Sequence, residues 1–133
     1  GSFCVSFNRS KRHRFGWEIR PSFSVSQNRN RSKVLMEFKK YLHCGSIRPD
    51  RSDNTLKYEV RSIKDLVEKV IPHFKRYPLM SEKNESFQYF STVCWMMYNK
   101  LHLTETGFKK VVELAFKVNP NGKKKFSISE IKI

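Results

Sequence analysis

From Ser2 to Asn8 polar and apolar residues alternate without a break: Ser2, Cys4, Ser6 and Asn8 interleave with Phe3, Val5 and Phe7. A second run sets Arg20, Ser22, Ser24 and Ser26 among Ile19, Phe23, Val25 and Gln27. Successive side chains of a strand point to opposite faces, so each run predicts a strand with one apolar and one small, hydrogen-bonding face. Between them, Arg9-Ser10-Lys11-Arg12-His13-Arg14 predicts a basic loop at the tip of a hairpin. A two-faced ribbon with a cationic tip has the form of a tool that reads base edges in a major groove. The same pattern also describes an ordinary half-solvated sheet.

Beyond Gln27 the period changes. Val34, Leu35, Phe38, Tyr41 and Leu42 share one helical stripe, with Lys33, Glu37, Lys39 and Lys40 on the wet side and Gly45 as the stop signal. A second hairpin follows. Ser46-Ile47-Arg48 leads into the turn-rich Pro49–Asn54 segment, and Leu56, Tyr58 and Val60 return between Lys57, Glu59 and Arg61. Ser62 with Asp65 predicts the capped start of a helix carrying Leu66, Val67, Val70, Ile71 and Phe74, with Pro72 and Pro78 marking its end. A third helix is expected over Ser86–Leu101, and a fourth, capped by Thr104, runs to the Asn119-Pro120-Asn121-Gly122 turn. The remaining residues to Ile133 read as a weakly ordered basic tail. Strands with one apolar face, interspersed with amphipathic helices, predict an α+β layer whose other sheet face meets water or a polar ligand. The chain divides into a domain over residues 1–119 and the tail over 120–133.

Composition sharpens the choice of ligand. Among 133 residues, 27 Lys and Arg face 12 Asp and Glu, a net charge of +15. Such an excess draws polyanions, nucleic acid foremost. No stretch approaches the ~18–20 apolar residues of a spanning helix, and the N-terminus lacks a signal-peptide pattern, so a membrane is not an expected partner. Cys4, Cys44 and Cys94 form no C-x-x-C pair and match no zinc spacing with His13, His43, His73 or His102. They fit buried thiols in an intracellular, reducing compartment, with an organelle or a bacterium as host. Phosphate loops, zinc-protease helices and nucleophile elbows are missing. Glu18, Asp50 and Glu59 lie on or near the polar sheet face, where carboxylates opposite arginines are expected to form ion pairs rather than to hold metal.

Seven short segments then carry a resemblance in order. Gly1-Ser2-Phe3, Arg20-Pro21-Ser22-Phe23-Ser24-Val25-Ser26-Gln27 and Cys44-Gly45-Ser46-Ile47 recur in LAGLIDADG homing endonucleases. So do Tyr58-Glu59-Val60-Arg61, Ile71-Pro72-His73-Phe74, Tyr77-Pro78-Leu79 and Lys100-Leu101-His102-Leu103-Thr104. The resemblance spans residues 1–119. It implies an αββαββα core whose saddle-shaped, four-stranded antiparallel sheet straddles the major groove of double-stranded DNA. It also implies intron-encoded, site-specific cleavage of both strands, dependent on Mg²⁺ held by acids at the base of paired motif helices, and a homodimer formed through those helices. The motif's carboxylate falls one residue before Gly1. The expectation is therefore a shortened, DNA-binding form without the first helix, the catalytic acid or any metal ligand of its own. A non-catalytic DNA-binding or intron-RNA-binding, maturase-like module is the alternative.

By the same resemblance, Gln27 matches the polar residue that orders water near the scissile phosphate, and Arg31 and Lys83 match basic residues beside it. Ser2, Cys4, Ser6, Asn8, Arg20, Ser22, Ser24, Arg48, Asp50, Thr55 and Lys57 fall on groove-facing positions. Arg20 and Arg48 are the candidates for bidentate contacts with guanine. Lys11, Arg12 and Arg14 are candidates for phosphate contacts.

Overall fold

Both hairpins form where the alternation predicts them, and they join into one antiparallel sheet. The computed structural model describes residues 2–50, 54–120 and 124–131. Gly1, the Arg51–Asp53 part of the second hairpin loop, the Asn121–Lys123 part of the closing turn and Lys triplet, and the last two residues lie outside the described residues. β1 (Ser2–Arg9) and β2 (Trp17–Asn28) make the long hairpin, and β3 (Ser46–Pro49) and β4 (Thr55–Val60) the short one. The order across the sheet is β1-β2-β4-β3, which leaves β1 and β3 at the edges. Phe23 stands opposite Phe3 on one side and Val60 on the other, while Tyr58 stands opposite Val25 and Ile47. That register gathers the apolar residues of all four strands on one face.

Among the described residues the α-helices are α1 (Lys33–Leu42), α2 (Ile63–Asp65), α3 (Ile71–Arg76), α4 (Ser81–Tyr98) and α5 (Glu105–Val118), in the predicted order, with the predicted second helix divided into α2 and α3 by the Leu66–Val70 turn. The helices pack on the apolar face. Phe3 is the hub of that contact: its ring lies 5.4 Å from Phe23, Phe74 and Phe87 and 5.0 Å from Phe90. One residue of β1 thereby ties β2, α3 and α4 together, each ring pair adding about 0.5–1.5 kcal/mol beyond its area burial. Ser62 accepts the Asp65 N–H at 3.3 Å and Thr104 accepts the Gly107 N–H at 3.0 Å, the two caps expected from the sequence.

Several details differ from the pattern, each for a local reason. On α1 the inward stripe is Leu35, Phe38 and Leu42, whereas Val34 and Tyr41 are exposed. The helix ends two residues before Gly45, at His43, whose φ of 56° puts it in the left-handed region. Gly45 has its own role: at φ +88°, a Cβ there would lie 2.6 Å from the Tyr58 ring. Pro72 does not end its helix. Leu66–Val70 is a π-helical turn in which the Ile71 N–H reaches back to the Leu66 carbonyl, and this widened register admits Pro72 near the start of α3. α4 begins at Ser81, five positions before the apolar stripe, and stops at Tyr98, leaving Leu101 in a separate 3₁₀ turn (Leu101–Leu103). In the tail, Phe126 and Ile131 return to the body of the fold, and Ile131 is buried. Among the described residues no helix is long and apolar enough to cross a membrane.

Candidate nucleic-acid interface

The second face of the sheet carries polar side chains in cross-strand rows. Ser6 stands beside Arg20, and Cys4 beside Ser22. Ser2, Ser24, Glu59 and Ser46 form a row across all four strands, and Ser26, Lys57 and Arg48 form the next. Asn28 and Thr55 close the series. Ser2, Cys4, Ser6, Arg20 and Arg48 are exposed; Asn8, Ser22, Ser24, Asp50, Thr55 and Lys57 are half-buried. Fourteen sequence-derived DNA-binding candidates therefore divide cleanly: these eleven sit on or at the end of the polar face, and Lys11, Arg12 and Arg14 are exposed in the β1–β2 loop.

That loop is held from below. Ser10 N–H donates to the Gly16 carbonyl at 3.0 Å, Gly16 N–H donates to that of His13 at 3.0 Å, and the Phe15 ring packs 4.9 Å from Phe108 on α5. The aromatic anchor faces the helices, which leaves the cationic side chains on the outside.

Glu59 organises the β3–β4 half of the face. It is 7% exposed, and its Oε1 accepts from Arg48 Nη2 at 2.6 Å and Arg61 Nε at 2.9 Å, with Lys57 Nζ 3.7 Å from Oε2. A buried carboxylate needs such partners, and these are arranged on the outward face of the sheet. Asp50 accepts from Ser26 Oγ at 2.9 Å, and Glu18 lies 3.9 Å from Arg20. Ser26 and Arg61, placed on the polar side by the sequence pattern, are absent from the DNA-contact candidates above. Ser26 shares the parity of Ser22 and Ser24, which is the signal that finds it; Arg61 continues the parity of Lys57 and Glu59 just past the strand.

Under the sheet, Tyr58 donates its hydroxyl to the Cys44 carbonyl at 2.7 Å, which fixes the α1–β3 junction to β4. Burial pushes the Tyr58 phenol far above its ordinary value, and the neighbouring Cys44 thiol is also raised, first by burial.

Gln27, Arg31 and Lys83 are placed on three separate elements. Gln27 is half-buried near the end of β2, opposite Leu56 and so on the parity of the core rather than of the groove face. Arg31 is exposed in the 3₁₀ turn after β2, and Lys83 is exposed in the first turn of α4, lining a surface cleft with Lys117. Among the described residues no hydrogen bond or ion pair joins the three. Nor do the described residues bring together three or more His, Cys, Asp or Glu side chains able to hold a metal ion. Glu59 is committed to cations, and Asp50 to Ser26, so neither is a free ligand. Among the described residues the donor set does not fit a divalent cation.

Comparison with known proteins agrees with this architecture. Residues 1–94 match the family model described as LAGLIDADG endonuclease. A probable intron-encoded endonuclease 3 of Neurospora crassa is 32% identical over 120 residues, covering 90% of this chain and 22% of that protein. Among solved structures, an archaeal intron-encoded homing endonuclease, I-Vdi141I, complexed with DNA, superposes with a TM-score of 0.89 at 28% identity, covering 98% of this chain and 83% of that one. I-SmaMI, bound to its uncleaved DNA target in the presence of calcium ions, superposes with a TM-score of 0.85 at 28% identity over 92% of this chain and 42% of that one. The chain spans less than half the length of the curated relatives it matches, 22% of one and 42% of another.

Proposed function

We propose, from the fact that the chain belongs to the LAGLIDADG endonuclease family, that its polar sheet face reads duplex DNA for a site-specific, intron-encoded homing endonuclease. The observation that carries this is the series of polar and charged cross-strand rows, rich in hydroxyl, thiol and guanidinium groups, on one face of a sheet whose other face is buried. Small polar side chains make short hydrogen bonds to base edges, and the exposed Arg20 and Arg48 are the candidates for bidentate contact with guanine. Lys11, Arg12 and Arg14, carried on the anchored loop, meet phosphates and set the register. Among the described residues this face carries no aromatic ring, which favours a stacked duplex over splayed RNA bases, since those are held by stacking on such rings.

In this reading cleavage depends on Mg²⁺, and on pairing with a second copy through a motif helix. The polar sheet face supplies recognition, and the metal is held by the acids of the motif helix. Gln27, Arg31 and Lys83 are proposed to order water and steady the scissile phosphate beside those acids.

The test is selection of a preferred duplex from a randomised DNA library, followed by affinity measurement against matched RNA across a salt series. Preferential binding of one DNA sequence is expected, with about 10³-fold loss of affinity between 50 and 200 mM salt if some six phosphates are neutralised. Salt-independent binding, or tighter binding of RNA, would overturn the proposal.

A further inference from the structure

Residues 124–131 fold back against the long hairpin rather than trailing from it. Phe126 meets Trp17 edge-on, with centroids 4.8 Å apart and planes at 77°. Arg9, the last residue of β1, lies over both rings, its Cζ 4.8 Å from the Trp17 centroid and 5.5 Å from that of Phe126. Beyond this sandwich Ser127 donates its N–H and its hydroxyl to Glu130 Oε1, both at 3.0 Å, which tightens a turn that delivers Ile131 to a buried position. Both hydrogen bonds hold the Glu130 carboxyl below its ordinary range. The arm is thus fastened at two points, an aromatic–guanidinium stack and a buried Ile.

Fastening places two lysines at the β1 edge of the sheet. Lys124 and Lys125 line a narrow cleft with Cys4, Val5, Ser6 and Phe7 of β1 and Ala115 and Val118 of α5, so they stand where the edge strand meets the helix layer. β1 is one of the two edge strands of the sheet. A sheet that reads base edges in a groove has its edge strands nearest the rims, where the phosphodiester backbones run. Lys124 is braced by donation to the Asn119 carbonyl at 2.6 Å and by the Phe116 ring 5.6 Å from its Nζ. Lys125 Nζ stands 5.4 Å from the Phe126 ring. Both ammonium groups are point charges on restrained stems, a chemistry suited to a phosphate rather than to a base edge.

We propose that residues 124–131 are a phosphate-clamping arm in which Lys124 and Lys125 grip the DNA backbone alongside β1, held in place by the Arg9–Trp17–Phe126 stack. The arm lies beyond the residues matched by the family model. The proposal rests on the DNA-reading role of the sheet face given above.

The test compares the chain with Lys124→Gln/Lys125→Gln and Lys124→Arg/Lys125→Arg double variants on one duplex over 50–200 mM salt. The Gln pair should lower the salt slope by about two, so that across this range the parent loses roughly tenfold more affinity than the variant. Its affinity should drop by a similar factor on all sequences, and the Arg pair should behave as the parent. Phe126→Ala, which keeps both lysines and releases the arm, should reproduce the Gln phenotype with little change in thermal unfolding of the sheet. A parent that binds with strong salt dependence beside a Gln pair of unchanged slope would defeat the arm and leave the sheet's role standing. No DNA binding by the parent at low salt would defeat both.

Discussion

Arg48 donates to Glu59 across the β3–β4 pair at 2.6 Å, so a residue suited to guanine recognition is already oriented by the protein's own carboxylate. The same Oε1 accepts from Arg61, and Glu59 is almost fully screened from water while its cationic partners are about half exposed. One buried anion therefore sets the direction of two outward guanidinium groups. An Arg held this way presents its free edge to a ligand with less conformational entropy left to lose.

Glu59→Gln should weaken the protein by about 1–3 kcal/mol, the scale of losing charge-assisted hydrogen bonds. It should also relax sequence preference while raising affinity for random DNA, because Arg48, Arg61 and Lys57 are freed and the net charge rises. Chemical unfolding and binding to selected and scrambled duplexes measure the two effects. Unchanged discrimination would show that Glu59 is structural only.

The two faces of β2 predict opposite outcomes from adjacent substitutions. Phe23 is 1% exposed and touches Phe3, Phe38 and Phe74, so Phe23→Ala should cost about 3–5 kcal/mol. Ser24 lies on the polar face, and Ser24→Arg should shift stability by no more than ~0.5 kcal/mol and change DNA preference instead. Thermal unfolding and duplex selection on both variants separate the faces. The reverse outcome would place the strand one residue out of register.

Both hairpins are legible in the sequence because a period of two is a local property, visible in Ser2–Asn8 and Ile19–Gln27 for the first and in Leu56–Arg61 for the second, without knowledge of any partner. Which residues share the polar face follows from the same parity. What is not legible depends on pairing or on distant contacts. Arg48 meets Glu59 only through the β3–β4 register, 11 residues apart. Pro72 reads as a terminator because its tolerance comes from the π turn before it, a backbone adjustment with no composition signal. Phe126 reads as part of a loose tail because its partner, Trp17, lies at the opposite end of the chain. Gln27 alternates with the apolar residues, so parity sets it apart from the groove-facing set, and only the family resemblance draws it into a site.

The three thiols should differ in reactivity and in their response to DNA. Cys4 is exposed on the polar face, whereas Cys94 is fully buried and its thiol is pushed far up by burial. Cys44 is half-buried beside the Tyr58 hydroxyl, and its thiol is raised as well. Since the thiolate is the nucleophile, a maleimide near neutral pH should label Cys4 first and leave Cys94 unmodified until the protein unfolds. Saturating duplex should protect Cys4. Mass spectrometry of the labelled chain reads both outcomes, and equal labelling of Cys4 with and without bound duplex would remove it from the interface.

Acidification should loosen the cationic loop through His102. This half-buried imidazole, in the 3₁₀ turn before α5, has a buried Nδ1 with no hydrogen-bond partner among the described residues, and burial, followed by the nearby His13 of the β1–β2 loop, lowers its pKa below the ordinary 6.5. Between that lowered value and 6.5 the unfolded chain binds the proton more tightly than the folded one. The neutral ring's contribution to stability is therefore complete above pH 6.5 and is lost as pH falls through the folded value. A charged His102 would also be repelled by the β1–β2 loop, where His13 sits one residue from Arg12 and Arg14. Thermal unfolding should show a midpoint that falls from pH 7 to pH 5, with a shallower fall in His102→Leu. Hydrogen exchange at residues 10–16 should quicken over the same interval in the parent and not in the variant. A midpoint with the same pH dependence in both proteins would mean that other groups carry the acid sensitivity.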